Sequence, residues 1–405
     1  MPQQDSSSHD QDAVVRALNA SIAEAYDQVV YEPQLNPLLL PESVLGLSAL
    51  YGCPASGGDV MDLGCGTGTQ LAAAGERMPG RLVGIDISRE ATARARTRCA
   101  GFGDRADIRH ADFLDLDADE LGQFDLIYVV GVFYATPPQV RRRILDLLRR
   151  CLKPGGVAVI SYYAGVVPFL HAGIIKLARA MDDPSAPVPA RISAVRRQLD
   201  DLARSIPSAS HQAPVMRRVI QRLAAMRDAL FFHEFFNYAF DVVDTATLAA
   251  ELAPAGLEFL TYLPNDQSGS LPSSRERAVA AAAKDLLAGG YQFAVFGKPA
   301  AGATGIDVRT PLVDWHFDML RRESVDGVAT FADAKTSINV SSASTAAALE
   351  MLAQGPLSWA ELCAAAGPYL DPAAPEAGYR QLEKDIVKLW RFGLARATCR
   401  FSAPG

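Results

Sequence analysis

Val60-Met61-Asp62-Leu63-Gly64-Cys65-Gly66-Thr67-Gly68 is an apolar run that ends in an acid and then takes a glycine at every second position. The run 59–65 reads as a short strand. The glycines let the chain turn tightly and, without Cβ atoms, let the backbone approach a ligand closely. A helix should open directly after them. In an open α/β sheet, such a loop lies at the carboxyl ends of the strands, where ligands bind near the topological switch point. The dinucleotide fingerprint G-x-G-x-x-G would need its third glycine at position 69, which is Thr69. A pyrophosphate-bearing dinucleotide is therefore excluded as the ligand.

Working outward, four more apolar runs follow: RLVGIDIS (81–88), ADIRHADF (106–113), FDLIYVVGVF (124–133) and GVAVISYY (156–163). REATARARTRCA and QVRRRILDLLRRCL read as helices between them. This alternation predicts a parallel sheet with helices on both faces, an α/β Rossmann-like fold. Lys153-Pro154-Gly155-Gly156 reads as a turn before the fifth strand. After 165 the alternation stops. Residues 166–240 read as proline-broken helices that end in the aromatic run FFHEFFNYAF (231–240). LEFLTYLP (257–264) and YQFAVFGKP (291–299) are expected to complete the sheet as antiparallel strands. Residues 1–12 read as disordered, 13–32 as a helix and short arm, and Pro41 as a helix start.

Asp86 ends the second strand, 24 residues after Asp62. A carboxylate there can accept both hydroxyls of a ribose. Asp112 ends the third strand, where it can accept from an adenine amine while Phe113 packs on the base. Together with a phosphate-free loop, this order predicts S-adenosylmethionine (SAM) as the cofactor. DLGCGTGT, GIDIS, the acidic end of ADF, and LKPGGVAVIS resemble the class I SAM-dependent methyltransferases in order and spacing over 55–165. That resemblance implies a seven-stranded sheet whose sixth and seventh strands are antiparallel. Candidate cofactor residues are Tyr26, Tyr31, Asp62, Gly64, Cys65, Gly66, Asp86, Ile87, Asp112, Phe113 and Gly131.

A narrower resemblance is to bacterial methyltransferases with a methyltransferase regulatory domain, including those that methylate lysines of outer-membrane proteins. It rests on AYDQVVYEP (25–33), GVFYATP (131–137), SYYA (161–164) and FHEFF (232–236). It implies that Tyr26 or Tyr31 closes over the cofactor and that the C-terminal domain is winged-helix-like. The family's His-Gly-Val-Tyr-Ser-Trp is Val130-Gly131-Val132-Phe133-Tyr134-Ala135 here, and its Ser-Tyr-Asn is Ser161-Tyr162-Tyr163. Both departures border the acceptor pocket.

Methyl transfer is largely a matter of positioning and desolvation, so a general base is optional. His171 and His233 are candidate bases, with a structural, hydrogen-bonded role as the alternative. Tyr134 and Tyr163, with Tyr162, lie at strand ends where acceptors bind. The 231–240 aromatics line the acceptor cavity or, preferably, pack between lid and sheet. Arg141-Arg142-Arg143 fans around a helix and reads as a solvated face rather than an anion site.

The chain has 405 residues, 49% hydrophobic and 21% charged, with a net charge of −7. That is an ordinary globular composition, and its sign speaks against nucleic-acid binding. The six cysteines show no C-x-x-C or metal spacing and read as free thiols in the cytoplasm; no metal site is expected. No signal pattern opens the chain, and no apolar run reaches the roughly 18 residues of a membrane span. The expected organisation is an arm (1–40), a SAM-binding core (41–165), a helical insertion or lid (166–240), the rest of the core (241–300), and a small, mostly helical, winged-helix-like domain (301–405). A linker is expected at 300–305. The C-terminal segment 306–405 holds 10 basic and 12 acidic residues, which favours partner contact or a homodimer over DNA. The function expected first is methylation of an oxygen or nitrogen in a small-molecule or peptide acceptor. Protein-lysine methylation and a SAM-binding regulator without turnover are the alternatives.

Overall fold

Two helices, α1 (Ser6–Gln28) and α2 (Pro41–Ala49), precede the sheet. The computed structural model describes residues 6–399 apart from 55–56, 209–210, 237–238, 264–272, 300–306, 308, 310–312, 318, 326–327, 333–336, 392–393. Helix α1 begins at Ser6, inside the polar stretch expected to be disordered. The 300–305 linker lies outside the described residues.

Strands and helices then alternate: β1 (Val60–Leu63), α3 (Thr69–Gly75), β2 (Leu82–Asp86), α4 (Arg89–Cys99), β3 (Ala106–His110), α5 (Ala118–Leu121), β4 (Phe124–Val129), α6 (Pro138–Cys151) and β5 (Leu152–Tyr163). β1 and β4 are buried along their full length, as central parallel strands covered on both faces must be. Helix α6 shows how a covering helix is encoded. Val140, Ile144, Leu147, Leu148 and Cys151 fall on one face and are buried, while Pro138 starts the first turn. Helix α4 begins where the Ser88 hydroxyl accepts from Ala91 N at 3.0 Å, a cap worth about 1 kcal/mol.

Four helices follow: α7 (Val166–Ala180), α8 (Val188–Ser205), α9 (Ala213–Ala224) and α10 (Asp228–Phe236). They share a separate apolar core built on Phe231, Phe232, Phe235 and Phe236. Then come α11 (Thr245–Leu252), β6 (Glu258–Leu263), α12 (Ser274–Ala288) and β7 (Tyr291–Gly297). The sheet order is β3-β2-β1-β4-β5-β7-β6, and it reverses between β1 and β4. That reversal is the switch point.

Two expectations are corrected here. Only β7 is antiparallel to its neighbours β5 and β6, so β6 runs in the direction of β1–β5. The cause is local. Ala164 N donates to Gly290 O at 2.9 Å, and a Cβ on Gly289 would lie 2.2 Å from Ala164 O. This contact starts β7 at the carboxyl end of β5, so β7 runs back as expected, and β6, paired antiparallel to β7, must run with β5. Second, Lys153-Pro154-Gly155-Gly156 is not a turn ahead of β5 but a bulge inside it. The register jumps from Phe124↔Leu152 to Leu126↔Val157, and Gly155 takes φ +78°.

The remaining chain contains β8 (Val313–Phe317), β9 (Leu320–Val325), β10 (Val328–Ala332), β11 (Ser337–Val340), α13 (Ala343–Leu352), β12 (Leu357–Ser358), α14 (Trp359–Ala366), α15 (Pro375–Arg391) and β13 (Ala395–Cys399). Among its described residues it combines two three-stranded sheets with three helices, more strand than the mostly helical domain expected. Its β13 lies against α2 so closely that a Cβ on Gly46 would be 2.5 Å from Thr398 Cα.

Candidate active site

The first three strands each deliver a carboxylate to one edge of the sheet. Asp62 comes from β1, Asp86 closes β2, and Asp112 follows β3. All three line a cavity of about 500 Å³ over the switch point. The glycine loop forms its floor. Gly64 has φ +85°, and a Cβ there would meet Val132 Cγ2 at 2.1 Å. Gly66 has φ +52°, and a Cβ there would meet no protein atom within 4 Å. The loop thus needs glycine at 64 for packing and at 66 for its left-handed backbone, beside open cavity space.

Asp86 is held by the backbone. Its Oδ2 accepts from Gly66 N and its Oδ1 from Ser88 N, both at 2.8 Å. A carboxylate offers about four acceptor directions, so some remain for a ligand. Burial raises the pKa of Asp86, against the pull of those N–H groups. Asp62 is pushed up to about 7, first by burial and then by the neighbouring charge of Asp86. Asp112 accepts from Leu114 N at 3.0 Å and from the Asn19 amide at 2.7 Å. Arg143 donates to the carbonyl of Leu116 and to that of Phe113, while Arg141 pairs with Asp241 at 2.8 Å. Two of the three arginines expected to be solvated are therefore partnered, Arg143 beside Phe113 on this edge and Arg141 with the segment after α10.

Residues of α1 and the segment after it lie across the three strand ends. Asn19 reaches Asp112. Asp27 accepts from Ser88 Oγ at 2.7 Å, and Glu32 accepts from Thr67 Oγ1 at 2.9 Å. Tyr26 and Tyr31 face the cavity. Every cofactor candidate named from the sequence lines this one space.

At the other end, Tyr134, Tyr163, Tyr291 and Phe240 form an aromatic cluster. Tyr134 and Tyr163 meet edge-to-face at 4.9 Å, as do Tyr163 and Tyr291, and Phe240 lies 5.6 Å from Tyr134. A single carboxylate, Glu234 of α10, sits against them. Its Oε1 accepts from Tyr134 at 2.9 Å and from Tyr163 at 3.3 Å, and Oε2 has no hydrogen-bond partner among the described residues. Glu234 is 4% exposed, and burial pushes its carboxyl up to about 7. Among the described residues, no lysine or arginine lines the cavity.

The catalytic candidates divide. Tyr134, Tyr163 and His233 line the cavity; His171 does not. His171 packs behind Tyr163, at 6.3 Å between rings, and burial lowers its pKa to about 4. Tyr162 also points away, donating to Thr245 at 3.0 Å. Of the 231–240 aromatics, Phe231, Phe232, Phe235 and Phe236 pack in the lid core, Phe240 packs against that core and also lines the cavity, and Tyr238 lies outside the described residues. The sequence reading missed Glu234, Tyr291 and Asn19. The usable signal for Glu234 was a lone acid inside Phe231-Phe232-His233-Glu234-Phe235-Phe236.

The sheet order is that of the Rossmann-like methyltransferase fold, with the glycine loop and the strand-end acids at its switch point. Residues 60–156 match the family model described as a methyltransferase domain. A carboxy-S-adenosyl-L-methionine synthase of Wolinella succinogenes is 36% identical over 117 residues, 28% of this chain and 47% of that protein. An uncharacterized protein of Rickettsia prowazekii is 29% identical over 143 residues, 34% of this chain and 57% of that one. The chain thus spans about half the length of these curated relatives. The solved structure of PKMT2 from Rickettsia typhi in complex with AdoHcy superposes with a TM-score of 0.70 at 18% identity, over 91% of this chain and 77% of that one. At that identity it shows a shared fold.

Proposed function

We propose that the protein is a SAM-dependent methyltransferase whose acceptor is an amine nitrogen. The observation that carries the reading is the joining of two half-sites in one cavity: strand-end carboxylates at the glycine loop, and a buried carboxylate in an aromatic cluster beyond it. The residues fit the cofactor. The space beside Gly66 admits a ligand, Asp86 would take the ribose hydroxyls, and Asp112 with Phe113 would hold the adenine. The buried acids Asp62 and Asp86 favour a cationic guest.

When bound, SAM supplies an electrophilic methyl group: the acceptor's lone pair forms the N–C bond as the S–C bond breaks, its electrons staying on sulfur. The chain's contribution is placement and proton handling. Ring faces of Tyr134, Tyr163, Tyr291 and Phe240 attract an ammonium by cation–π interaction. Glu234, poised near 7, accepts the ammonium proton at Oε2 so that a neutral amine attacks. Tyr134 and Tyr163 hold that carboxylate by their hydroxyls and act as positioning residues.

The absence of a lining lysine or arginine among the described residues speaks against a carboxylate- or phosphate-bearing acceptor, and against the carboxylated cofactor named in one relative. A lysine side chain is the first amine to test, because the fold is shared with the Rickettsia PKMT2 structure. Helices α7–α10 serve as the lid over this end, and the mixed C-terminal unit as a partner or dimer contact. Five described cysteines are free thiols, which supports cytoplasmic residence. No helix among the described residues is long and apolar enough to cross a membrane.

The test is release of S-adenosylhomocysteine from SAM with lysine-containing peptides and small amines, beside matched alcohols. Turnover with amines alone supports the reading. Turnover with alcohols alone overturns the acceptor class, and SAM binding without turnover favours a regulator.

A further inference from the structure

The sequence leaves His233 as a candidate base or a hydrogen-bonded structural residue, and its contacts favour the second. Its Nε2 lies 2.5 Å from the carbonyl oxygen of Val29. A carbonyl only accepts, so Nε2 carries the proton. Val29 is the first residue past α1, where helix carbonyls lack partners. The imidazole also stacks on Tyr26, with centroids 4.0 Å apart and planes 10° apart. Burial lowers its pKa to about 4, so the ring is neutral near pH 7. His233 is thus the contact by which α10 grips the end of the arm helix. Ala25 and Val29 add apolar contact with the lid core.

Two consequences follow from this position. The strap leaving α1 puts Val30, Tyr31, Pro33 and Gln34 into the cavity wall, so its course depends on where α1 ends. The Tyr26–His233 pair also separates the cavity from a second cleft of about 250 Å³ between α1 and the lid, lined by Ser21, Glu24, Arg191 and Phe232. Losing the pair would join the two spaces and admit water to the cofactor end.

We infer that His233 is a positioning residue that clasps the arm helix to the lid, fixing the 29–34 strap and Tyr26 over the cofactor site. The next residue, Glu234, faces the aromatic cluster, so one short helix ties cofactor enclosure to the acceptor end. This inference rests on the cofactor reading above.

The test measures S-adenosylhomocysteine affinity by calorimetry, and cleavage of the 29–34 strap by a protease, in full-length variants. His233→Ala should weaken binding about tenfold, the scale of one hydrogen bond with a ring contact, and expose the strap. His233→Gln keeps a donor and should recover most of the affinity. Phe231→Leu loosens the lid core on the same helix while leaving the His233–Val29 bond in place; it should lower the melting temperature and leave affinity unchanged. Wild-type affinity and strap protection in His233→Ala would overturn the inference. So would equal losses in His233→Ala and Phe231→Leu, which would mark general lid damage. If the wild-type protein itself binds no S-adenosylhomocysteine, the cofactor reading fails instead.

Discussion

Replacing Glu234 by Gln removes one charge and one base while keeping shape and an acceptor for Tyr134 and Tyr163. The structure sets the size of two opposite effects. Burial raises the folded pKa of Glu234 from 4.5 to about 7. An acid with a raised folded pKa binds more protons folded than unfolded, so stability falls as pH rises through the window from about 4.5 to about 7. Fully ionised, the group costs the empty protein about 3 kcal/mol by that shift. Glu234→Gln should therefore melt higher than wild type at pH 8, with the difference vanishing near pH 4. Catalysis should move the other way. With saturating SAM, loss of the base should lower kcat about 10²–10⁴-fold, and the rise of kcat/KM for the amine near pH 7 should flatten. The assays are melting curves at pH 4 and 8 and S-adenosylhomocysteine release across pH. A variant that melts lower at pH 8 and retains the rise near 7 would refute the reasoning, because Glu234 would then be a charged structural anchor.

Other outcomes follow from the cofactor end. Asp86→Ala should weaken SAM binding by about 1–3 kcal/mol in calorimetry, the scale of hydrogen bonds to a charged group; unchanged affinity would displace the cofactor from this loop. Gly66→Val puts a branched side chain into open cavity at φ +52° and should abolish binding while a core far from the cavity keeps its far-ultraviolet dichroism. Asp62, raised to about 7, should lose its proton when the cationic cofactor binds, so SAM affinity should climb through pH 6–8 with proton release seen in buffers of different ionisation heat. A flat profile would mean that Asp62 is already ionised.

The cofactor half of the site was legible because it is local. A strand-end acid, a loop that tolerates only glycine, and the next two strand ends occur at fixed intervals, and parallel strands bring every such end to the same edge. Asp62, Gly66, Asp86 and Asp112 could be named before any fold was known, and they share one cavity. The alternation of apolar runs likewise dictated the sheet, since strands covered on both faces must be apolar throughout. The acceptor half depends on tertiary structure. Glu234 and Tyr163 are separated by 71 residues and meet because four helices fold back over the sheet. Along the sequence, Glu234 is one acid among phenylalanines, with no spacing to mark which face of α10 looks inward. The direction of β6 was likewise hidden, since it is set by its antiparallel pairing with β7, which runs back from the carboxyl end of β5, rather than by any pattern within the strand. His233 shows the same limit: its residue type left proton transfer and a hydrogen-bonded structural role both open, and only its bond to Val29 points to the arm. Sequence alone determined what repeats at short range, while long-range packing decided which isolated polar groups were buried together and so which carry altered chemistry.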